Sequence, residues 1–297
     1  MSELAQIAGR HAPRDGMLPT AVPELHVVRA TQRSQPVHAV QRPSLCFLVQ
    51  GAKEVSVAGT TYRYTAGEHL VSTVDLPITG EIVEASPRNP YYCLVISLEP
   101  ALVQRVLDDG KFEVPDGPGP GIFVGRPEPR LADAALRLAR CLEDERDGRV
   151  LAPSILREIV YRLLCGPYGG TVRDLGTSGS RTQRIARAIE RLKNSFAEPL
   201  KMAELAALAG MSPSSFHEHF KRITTLSPLQ YQKVLRLQEA RRLLEQGFGA
   251  ADVAFRVGYQ SPSQFSREYA RCFGASPRSD ARPRGASEPR RGARVLR

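Results

Sequence analysis

Several things are scarce in this chain, and each scarcity removes a class of protein. Its five cysteines, Cys46, Cys93, Cys141, Cys165 and Cys272, are widely and irregularly spaced, with no Cys-x-x-Cys pair. A zinc ribbon and a disulfide scaffold are therefore excluded, and the ordinary reading of these thiols is free and buried or half-buried. No apolar run approaches the roughly 20 residues needed to cross a bilayer. Residues 1–19 are mixed and polar and lack the basic start and apolar stretch of a secretory signal, so a cytoplasmic location with no membrane partner is expected.

Histidine is also sparse. A metal-dependent cupin enzyme needs a cluster of His and carboxylate ligands, and His38 stands alone while His11 and His26 lie upstream. His69, after Gly67-Glu68, is the histidine in a strand-like context and reads as a pocket or surface residue. His217 and His219 are two apart in a helical segment, so they point to different sides and cannot chelate one ion well. No metal, no cofactor and no catalytic residues are expected.

What is present is a chain of 297 residues, long enough for two domains, with 42% hydrophobic and 24% charged residues as in ordinary globular proteins. Its net charge of +10 is unevenly divided: residues 181–297 carry +12 and residues 1–180 carry −2. One end of the chain is therefore suited to a polyanion. A membrane surface would instead call for a basic amphipathic helix with exposed aromatics, and the sequence has none.

Residues 1–20 read as a flexible arm. From about Val22 to Val124 the text is strand-like, with short apolar runs such as Ser44-Leu-Cys-Phe-Leu-Val-Gln50, Glu54-Val-Ser-Val-Ala58 and Tyr91-Tyr-Cys-Leu-Val-Ile-Ser-Leu98 between turn residues. Many short strands at regular intervals suggest a small barrel or sandwich. Gly110 to Pro129 reads as a loop. Two helices follow, one with Leu131, Ala135, Leu138 and Leu142 in phase, and one entered at Pro153. The second has a wide apolar face of Ile155, Leu156, Ile159, Val160, Leu163 and Leu164, which reads equally as core or as a dimer seam. Gly169-Gly170 and Gly176-Thr-Ser-Gly-Ser180 suggest a flexible linker. Residues 282–297 are basic, poor in apolar residues and expected to be disordered.

The strongest feature is an internal repeat in the basic half. Ala203-Glu-Leu-Ala206 is matched by Ala251-Asp-Val-Ala254, and Gly210-Met211 by Gly258-Tyr259, 48 positions later. Ser212, Phe216 and Phe220 are matched by Ser261, Phe265 and Tyr269 at an offset of 49, because the second copy has one more residue after its glycine. Each copy reads as a short Ala-rich helix, a glycine turn and a second amphipathic helix, which is a helix-turn-helix. Small Ala206 and Ala254 permit a close helix crossing, and Gly210 and Gly258 supply the positive φ that ends the first helix. Between the copies, Ser227-Pro228 opens a helix to about Gln246. At 1.5 Å per residue it is roughly 25–28 Å long, suited to holding two reading heads about one DNA turn apart.

These residues carry a family resemblance. Ile185 to Pro277 is similar to the DNA-binding domain of the AraC/XylS regulators, through Leu205-Ala-Ala-Leu-Ala-Gly-Met-Ser212, Phe220-Lys-Arg222, Ser227-Pro-Leu-Gln-Tyr231, Arg236-Leu-Gln-Glu-Ala-Arg-Arg-Leu-Leu244, Val257-Gly-Tyr259, Ser263-Gln-Phe-Ser-Arg267 and Phe273-Gly-Ala-Ser-Pro277. Two departures stand out: Thr225 occupies a position where the family usually has Gly, and the usual aromatic-Arg ending is missing after Pro277. The strand-rich half resembles the cupin-like effector domain of one branch of that family, through Pro43-Ser-Leu-Cys-Phe-Leu-Val-Gln-Gly-Ala-Lys53, Tyr62-Arg-Tyr64, Gly67-Glu68, Leu70-Val71, Leu76-Pro77, Ala85-Ser86 and Pro90-Tyr91.

The resemblance implies an α+β protein. An N-terminal cupin-like β-barrel with flanking helices (21–175), a linker (176–183) and a C-terminal all-α domain (184–281) are expected. The latter holds helix-turn-helix units at about 202–223 and 250–273 joined by a linker helix. The function implied is that of a cytoplasmic transcription regulator responsive to an effector, activator or repressor, that binds adjacent major-groove segments of double-stranded DNA. RNA polymerase, a small-molecule effector of unknown site and a second copy of the chain are the further partners implied, and the resemblance favours the dimer-seam reading of the 155–164 stripe. DNA contacts are expected from Ser214, His217, Glu218, Lys221 and Arg222 in the first unit and Ser263, Gln264 and Arg267 in the second. Gln suits adenine, Arg suits guanine, His can donate to guanine and Glu can accept from cytosine. For Arg267, phosphate anchoring is the rival to base reading. Cys46 and Cys93 sit in apolar runs, where core packing is the leading reading and a sensor of electrophiles or oxidants the other. Two other function classes stay open: a metal-dependent cupin enzyme fused to a DNA-binding domain, and a ligand-independent DNA-binding protein.

Overall fold

Alternating and continuous apolar runs in the first half become strands, and the computed structural model describes residues 2–110, 112–115 and 119–281. The first half holds helix α1 (Glu3–His11) and strands β1 (Gly16–Pro19), β2 (Leu25–Ala30), β3 (Val37–Gln41), β4 (Ser44–Gln50) and β5 (Ala52–Val57). Then come β6 (Thr60–Thr65), β7 (His69–Ser72), β8 (Leu76–Glu84), β9 (Tyr91–Ser97), helix α2 (Pro100–Asp109) and β10 (Ile122–Gly125). Helices α3 (Pro129–Arg140), α4 (Glu145–Val150), α5 (Ala152–Leu164) and α6 (Gly169–Gly176) complete this part. The basic half is helical: α7 (Arg181–Asn194), α8 (Met202–Leu208), α9 (Pro213–Thr224), α10 (Pro228–Glu245), α11 (Ala250–Arg256), α12 (Pro262–Phe273) and α13 (Pro277–Asp280).

The strands form a six-stranded sheet, β1-β2-β9-β4-β7-β10, and a four-stranded sheet, β3-β8-β5-β6, with antiparallel pairing throughout. The expected barrel is thus realised as two sheets without closure. Leu45 and Phe47 of β4 and Leu94 and Ile96 of β9 turn outward into a core shared with α1, α2, α3, α5 and α6. The alternate residues Cys46, Leu48, Tyr91 and Cys93 point to the other side of the sheet and are also buried. Burial on both faces explains why β4 and β9 read as unbroken apolar runs rather than alternating ones.

Four expectations need correction. The flexible arm of residues 1–20 is instead α1 and β1, and Ala5, Ile7 and Ala8 are buried in the core. Ser2 caps α1 by accepting from the Ala5 amide at 3.3 Å. The Gly169–Gly176 part of the supposed linker is helix α6, where a Cβ on Gly169 would lie 1.8 Å from the Leu164 carbonyl oxygen. Glycine there serves close packing, not looseness. The Gly110–Pro129 loop contains edge strand β10, paired with β7. The 155–164 stripe is consumed inside the chain, since Ile155, Leu156, Ile159, Val160, Leu163 and Leu164 all belong to the core. They form no free seam, and the exposed apolar residues nearby are Val150 and Leu151.

His69 is buried rather than at the surface, with its Nδ1 unpartnered. Cys46, Cys93 and Cys141 are buried, but Cys165 and Cys272 are exposed. The basic tail expected at 282–297 lies outside the described residues. Among the described residues no helix is long and apolar enough to cross a membrane.

The chain divides into two compact units. One comprises residues 2–194 with Lys201–Tyr231, and the other Ser195–Leu200 with residues 232–281. The first helix-turn-helix therefore groups with the sheets, and the second forms the core of the smaller unit.

Candidate nucleic-acid interface

Both repeats fold as their sequences imply. In the first, α8 is followed by the turn residue Gly210, whose φ of 61° is left-handed, and Ser212 caps α9 by accepting from the Ser215 amide at 3.3 Å. In the second, α11 is followed by the turn residue Gly258 with φ 88°, and Ser261 caps α12 by accepting from the Gln264 amide at 3.3 Å. Each cap satisfies an amide that the helix itself leaves unpaired. The second helix of each unit is pinned by two aromatics one turn apart: Phe216 and Phe220 in α9, Phe265 and Tyr269 in α12, all fully buried. Their ring centroids are 5.5 Å apart in both units. Burying such rings contributes several kcal/mol per helix, about 3–5 by large-to-small precedent.

Pinning one face dictates what the opposite face presents. On α9, Ser214, His217, Glu218 and Lys221 are all exposed, at the i, i+3, i+4 and i+7 positions of a single stripe. Arg222 lies at its border, half-buried, with its Nε enclosed and unpartnered. Behind it, burial pushes the Asp174 carboxyl up, against the charges of Arg173, Arg181 and Arg222. His219 turns the other way from His217. Burial and the nearby Arg222, Arg181 and Arg184 push its imidazole down, against the charge of Glu218.

On α12, Ser263, Gln264 and Arg267 are exposed. The Gln264 side-chain amide donates to Glu268 Oε1 at 3.3 Å, which holds it but leaves one N–H and its oxygen available. Glu268 is the hub of this face, accepting also from Tyr259 Oη at 2.8 Å and Lys233 Nζ at 3.2 Å. Burial acts to raise its carboxyl, yet these hydrogen bonds together hold it below the usual carboxylate range. The charge network fixes the start of α12 against α10.

Offsets of 49 also expose what residue-by-residue reading missed. Arg222 corresponds to Arg271, which is exposed on α12 and extends the Ser263–Arg267 stripe by another turn. Glu218 corresponds to Arg267, so the same position carries opposite charge in the two units. Arg236 is the other omission. From α10 it donates to the carbonyls of Phe196, Ala197, Glu198 and Gly258 at 2.7–3.2 Å, tying the turn of the second unit to the segment before α8. A Cβ on Gly258 would lie 2.1 Å from the Ala197 oxygen, so that approach requires glycine.

The first unit is tied instead to the sheets. Lys193 Nζ of α7 pairs with Asp75 Oδ2 at 2.5 Å, and Tyr231 Oη donates to the Asp75 carbonyl at 2.7 Å. The Gly121 amide donates to the Ile223 carbonyl at the end of α9, at 3.0 Å. Burial acts to lower the Lys193 ammonium, but Asp75 and Glu190 hold it above its ordinary value. Among the described residues no group of three or more His, Cys, Asp or Glu side chains converges as a metal site.

Two capped helices, each pinned by aromatics and exposing a polar stripe, define a tandem helix-turn-helix protein with a two-sheet domain. The family model for the AraC-type transcriptional regulator N-terminus matches residues 21–171, and a helix-turn-helix domain model matches 205–282. The chain belongs to the AraC-type transcriptional regulators.

Among curated relatives, the HTH-type transcriptional regulator GlxA of Rhizobium meliloti is 29% identical over 109 residues, covering 36% of this chain and 34% of that protein. The HTH-type transcriptional activator RhaS of Klebsiella pneumoniae is 33% identical over 104 residues, covering 35% and 37%. The chain thus spans about a third of the length of these relatives. A single-residue variant of ToxT from Vibrio cholerae, in its apo form, shares the fold, with a TM-score of 0.53 at 9% identity over 87% of this chain and 97% of that one. Wild-type ToxT with an unsaturated fatty acid bound gives a TM-score of 0.50 at 11% identity over 89% and 97%.

Proposed function

We propose that the chain is a cytoplasmic, sequence-specific regulator of transcription that binds double-stranded DNA with α9 and α12 in major grooves. The observation that carries this reading is the repeated capped helix with an exposed polar stripe, set in a half of the chain bearing +12. Ser214, His217, Glu218, Lys221 and Arg222 serve the first reading helix, and Ser263, Gln264, Arg267 and Arg271 the second. Arg267 suits the O6 and N7 of guanine, Gln264 the N6 and N7 of adenine, and Glu218 the amino group of cytosine. Lys221, Arg222 and Arg271 act chiefly on phosphates.

The protein's own work is binding, not catalysis. A small-molecule effector acts through the two-sheet domain, by analogy with the fatty acid held by one of the ToxT structures. RNA polymerase is the partner expected of an activator, as the RhaS relatives are named. A second copy of the chain, if it docks through the helices, uses the exposed Val150 and Leu151 rather than the consumed 155–164 stripe.

The test is selection of bound duplexes from a random-sequence library by the full chain. Enrichment of one motif, with Arg267→Ala losing discrimination at a guanine within it, is the expected result. Recovery of unenriched sequences would overturn the proposal.

A further inference from the structure

Gln264 is exposed on α12, yet it is not free to turn. Its backbone amide donates to Ser261 Oγ at 3.3 Å, and its side-chain Nε2 donates to Glu268 Oε1, one turn further on, also at 3.3 Å. A long side chain tethered in this way has little rotamer freedom left to lose on binding. An ordinary helix-surface pair at i and i+4 would involve Gln264 and Glu268 alone.

Glu268 is itself held from two other elements. The Tyr259 hydroxyl, in the turn between α11 and α12, donates to Oε2 at 2.8 Å, and Lys233 Nζ of α10 donates to Oε1 at 3.2 Å. Tyr259 is fixed in turn. It is buried, its ring meets that of Phe265 edge-on at 5.4 Å, and the Arg236 guanidinium lies 5.8 Å from its centroid. The Glu268 side chain is 17% exposed against 44% for Lys233, so the carboxylate is the enclosed member of that pair. Burial acts to raise the carboxyl, but the bonds from Tyr259, Gln264 and Lys233 hold it low, and it is ionised at neutral pH.

The chemistry of the carboxylate decides which way the Gln264 amide points. An ionised carboxylate accepts and cannot donate, so the amide turns its nitrogen toward Glu268 and keeps its oxygen away. Of the two N–H bonds, the one trans to the oxygen can meet Glu268 while the one beside the oxygen stays open. The open edge is then one acceptor and one donor side by side, the complement of adenine N6 and N7. Guanine presents two acceptors, O6 and N7, and would need two donors, one of which Glu268 already holds. The first unit cannot build the same arrangement, because Met211, Ser215 and His219 stand where the second has Tyr259, Gln264 and Glu268.

We propose that Glu268 is a positioning residue for base reading: clamped by Tyr259 and Lys233, it fixes the Gln264 amide in the orientation that selects adenine over guanine. This role rests on the reading of α12 as a major-groove helix, and it adds to that helix a specificity residue that touches no base. Ordering the amide before DNA arrives removes a cost that a free glutamine bears on binding.

The experiment is competition binding of the full chain to its selected duplex and to versions carrying each other base pair at every position. Gln264→Ala locates the base pair that Gln264 reads, by abolishing a preference for adenine there. Glu268→Ala, and Glu268→Met, which keeps the volume without the acceptor, should each lower the adenine-over-guanine ratio at that base pair while preferences elsewhere hold. The expected factor is about two- to tenfold, a part of what a bidentate pair supplies. In the Gln264→Ala background, Glu268→Ala should change nothing further at that base pair. An unchanged ratio, a loss shared by all positions, or the same loss persisting without Gln264 would overturn the proposal. Failure of the wild-type chain to enrich any motif would instead overturn the regulator reading, and this role with it, so the two failures are told apart.

Discussion

Thr225 sits at φ 62° at the end of α9, in the left-handed region, with its hydroxyl donating to the Thr224 carbonyl at 2.6 Å. That conformation costs a β-branched residue about 1–2 kcal/mol. The corresponding residue after α12 is Gly274, at φ 69°. Thr225→Gly is therefore expected to raise stability by about 1 kcal/mol, read as a higher urea midpoint with an unchanged slope. A lower midpoint would show that the hydroxyl contact outweighs the strain.

A second residue-scale effect depends on pH. Burial pushes the His69 imidazole down to about 4 from its ordinary 6.5, against the opposing charge of Glu68. Between those values the unfolded chain binds a proton that the folded chain refuses, so stability is complete above pH 6.5 and declines as the pH falls toward 4. The loss amounts to about 3 kcal/mol at the acid end. His69→Gln should flatten this part of the stability profile, measured by urea unfolding at a series of pH values. An unchanged slope would place the titration elsewhere.

At the scale of elements, the repeat and its periodicity located both helix-turn-helix units and the helix between them, but not α7 or α13. Ala206, Gly210, Ser212, Phe216 and Phe220 fall where a helix-turn-helix needs them, and the offset copy repeats the pattern with the same burial. The polar stripe of α9 was legible for the same reason, because fixing the aromatic face fixes its opposite. What stayed hidden were features set by tertiary partners. Gly169 and Gly176 read as slack because nothing local shows that Leu164 and Val103 press against them. Helix α1 was concealed by its short, polar-flanked sequence, although Ser2 and the Ala5-Ile7-Ala8 face are its cap and core. Arg236 looked like one basic residue among many until four carbonyls converged on it. Arg236→Ala should cost about 1–3 kcal/mol, because three part-buried carbonyls and the exposed one of Glu198 lose a charged donor together. Urea unfolding checks this, and a loss below about 0.5 kcal/mol, the size of an ordinary surface substitution, would mean that water replaces the guanidinium without penalty.

The two reading helices also differ in a way that specificity should register. Glu218 and Arg267 occupy equivalent positions, one an acceptor and the other a donor. Glu218→Gln should weaken discrimination at a cytosine while strengthening overall affinity through the lost repulsion of phosphate. Arg267→Ala should cost about 1–3 kcal/mol and relax a different position. Competition between base-substituted duplexes measures both. Identical specificity changes in the two variants would argue against separate reading helices.

At the scale of the whole molecule, charge and tertiary attachment are unevenly shared. The +12 of residues 181–297 suits the polyanion partner proposed for that part, whereas residues 1–180 are nearly balanced. The first reading unit is anchored to the sheets through Asp75 and Gly121, so changes between the sheets have a direct mechanical neighbour in α7 and α9. The effector itself was not legible, because interior residues of a β-domain report volume and polarity rather than a ligand's name.

The central claim is that the basic half grips DNA through phosphates while α9 and α12 read bases. Its most direct test is the salt dependence of full-chain binding to a duplex enriched by selection, compared with one of scrambled sequence. The account predicts a linear fall of log affinity with log salt for both duplexes, of about tenfold or more between roughly 50 and 200 mM, with the enriched duplex tighter at every salt. Affinity independent of salt, or equal for the two duplexes throughout, would contradict it.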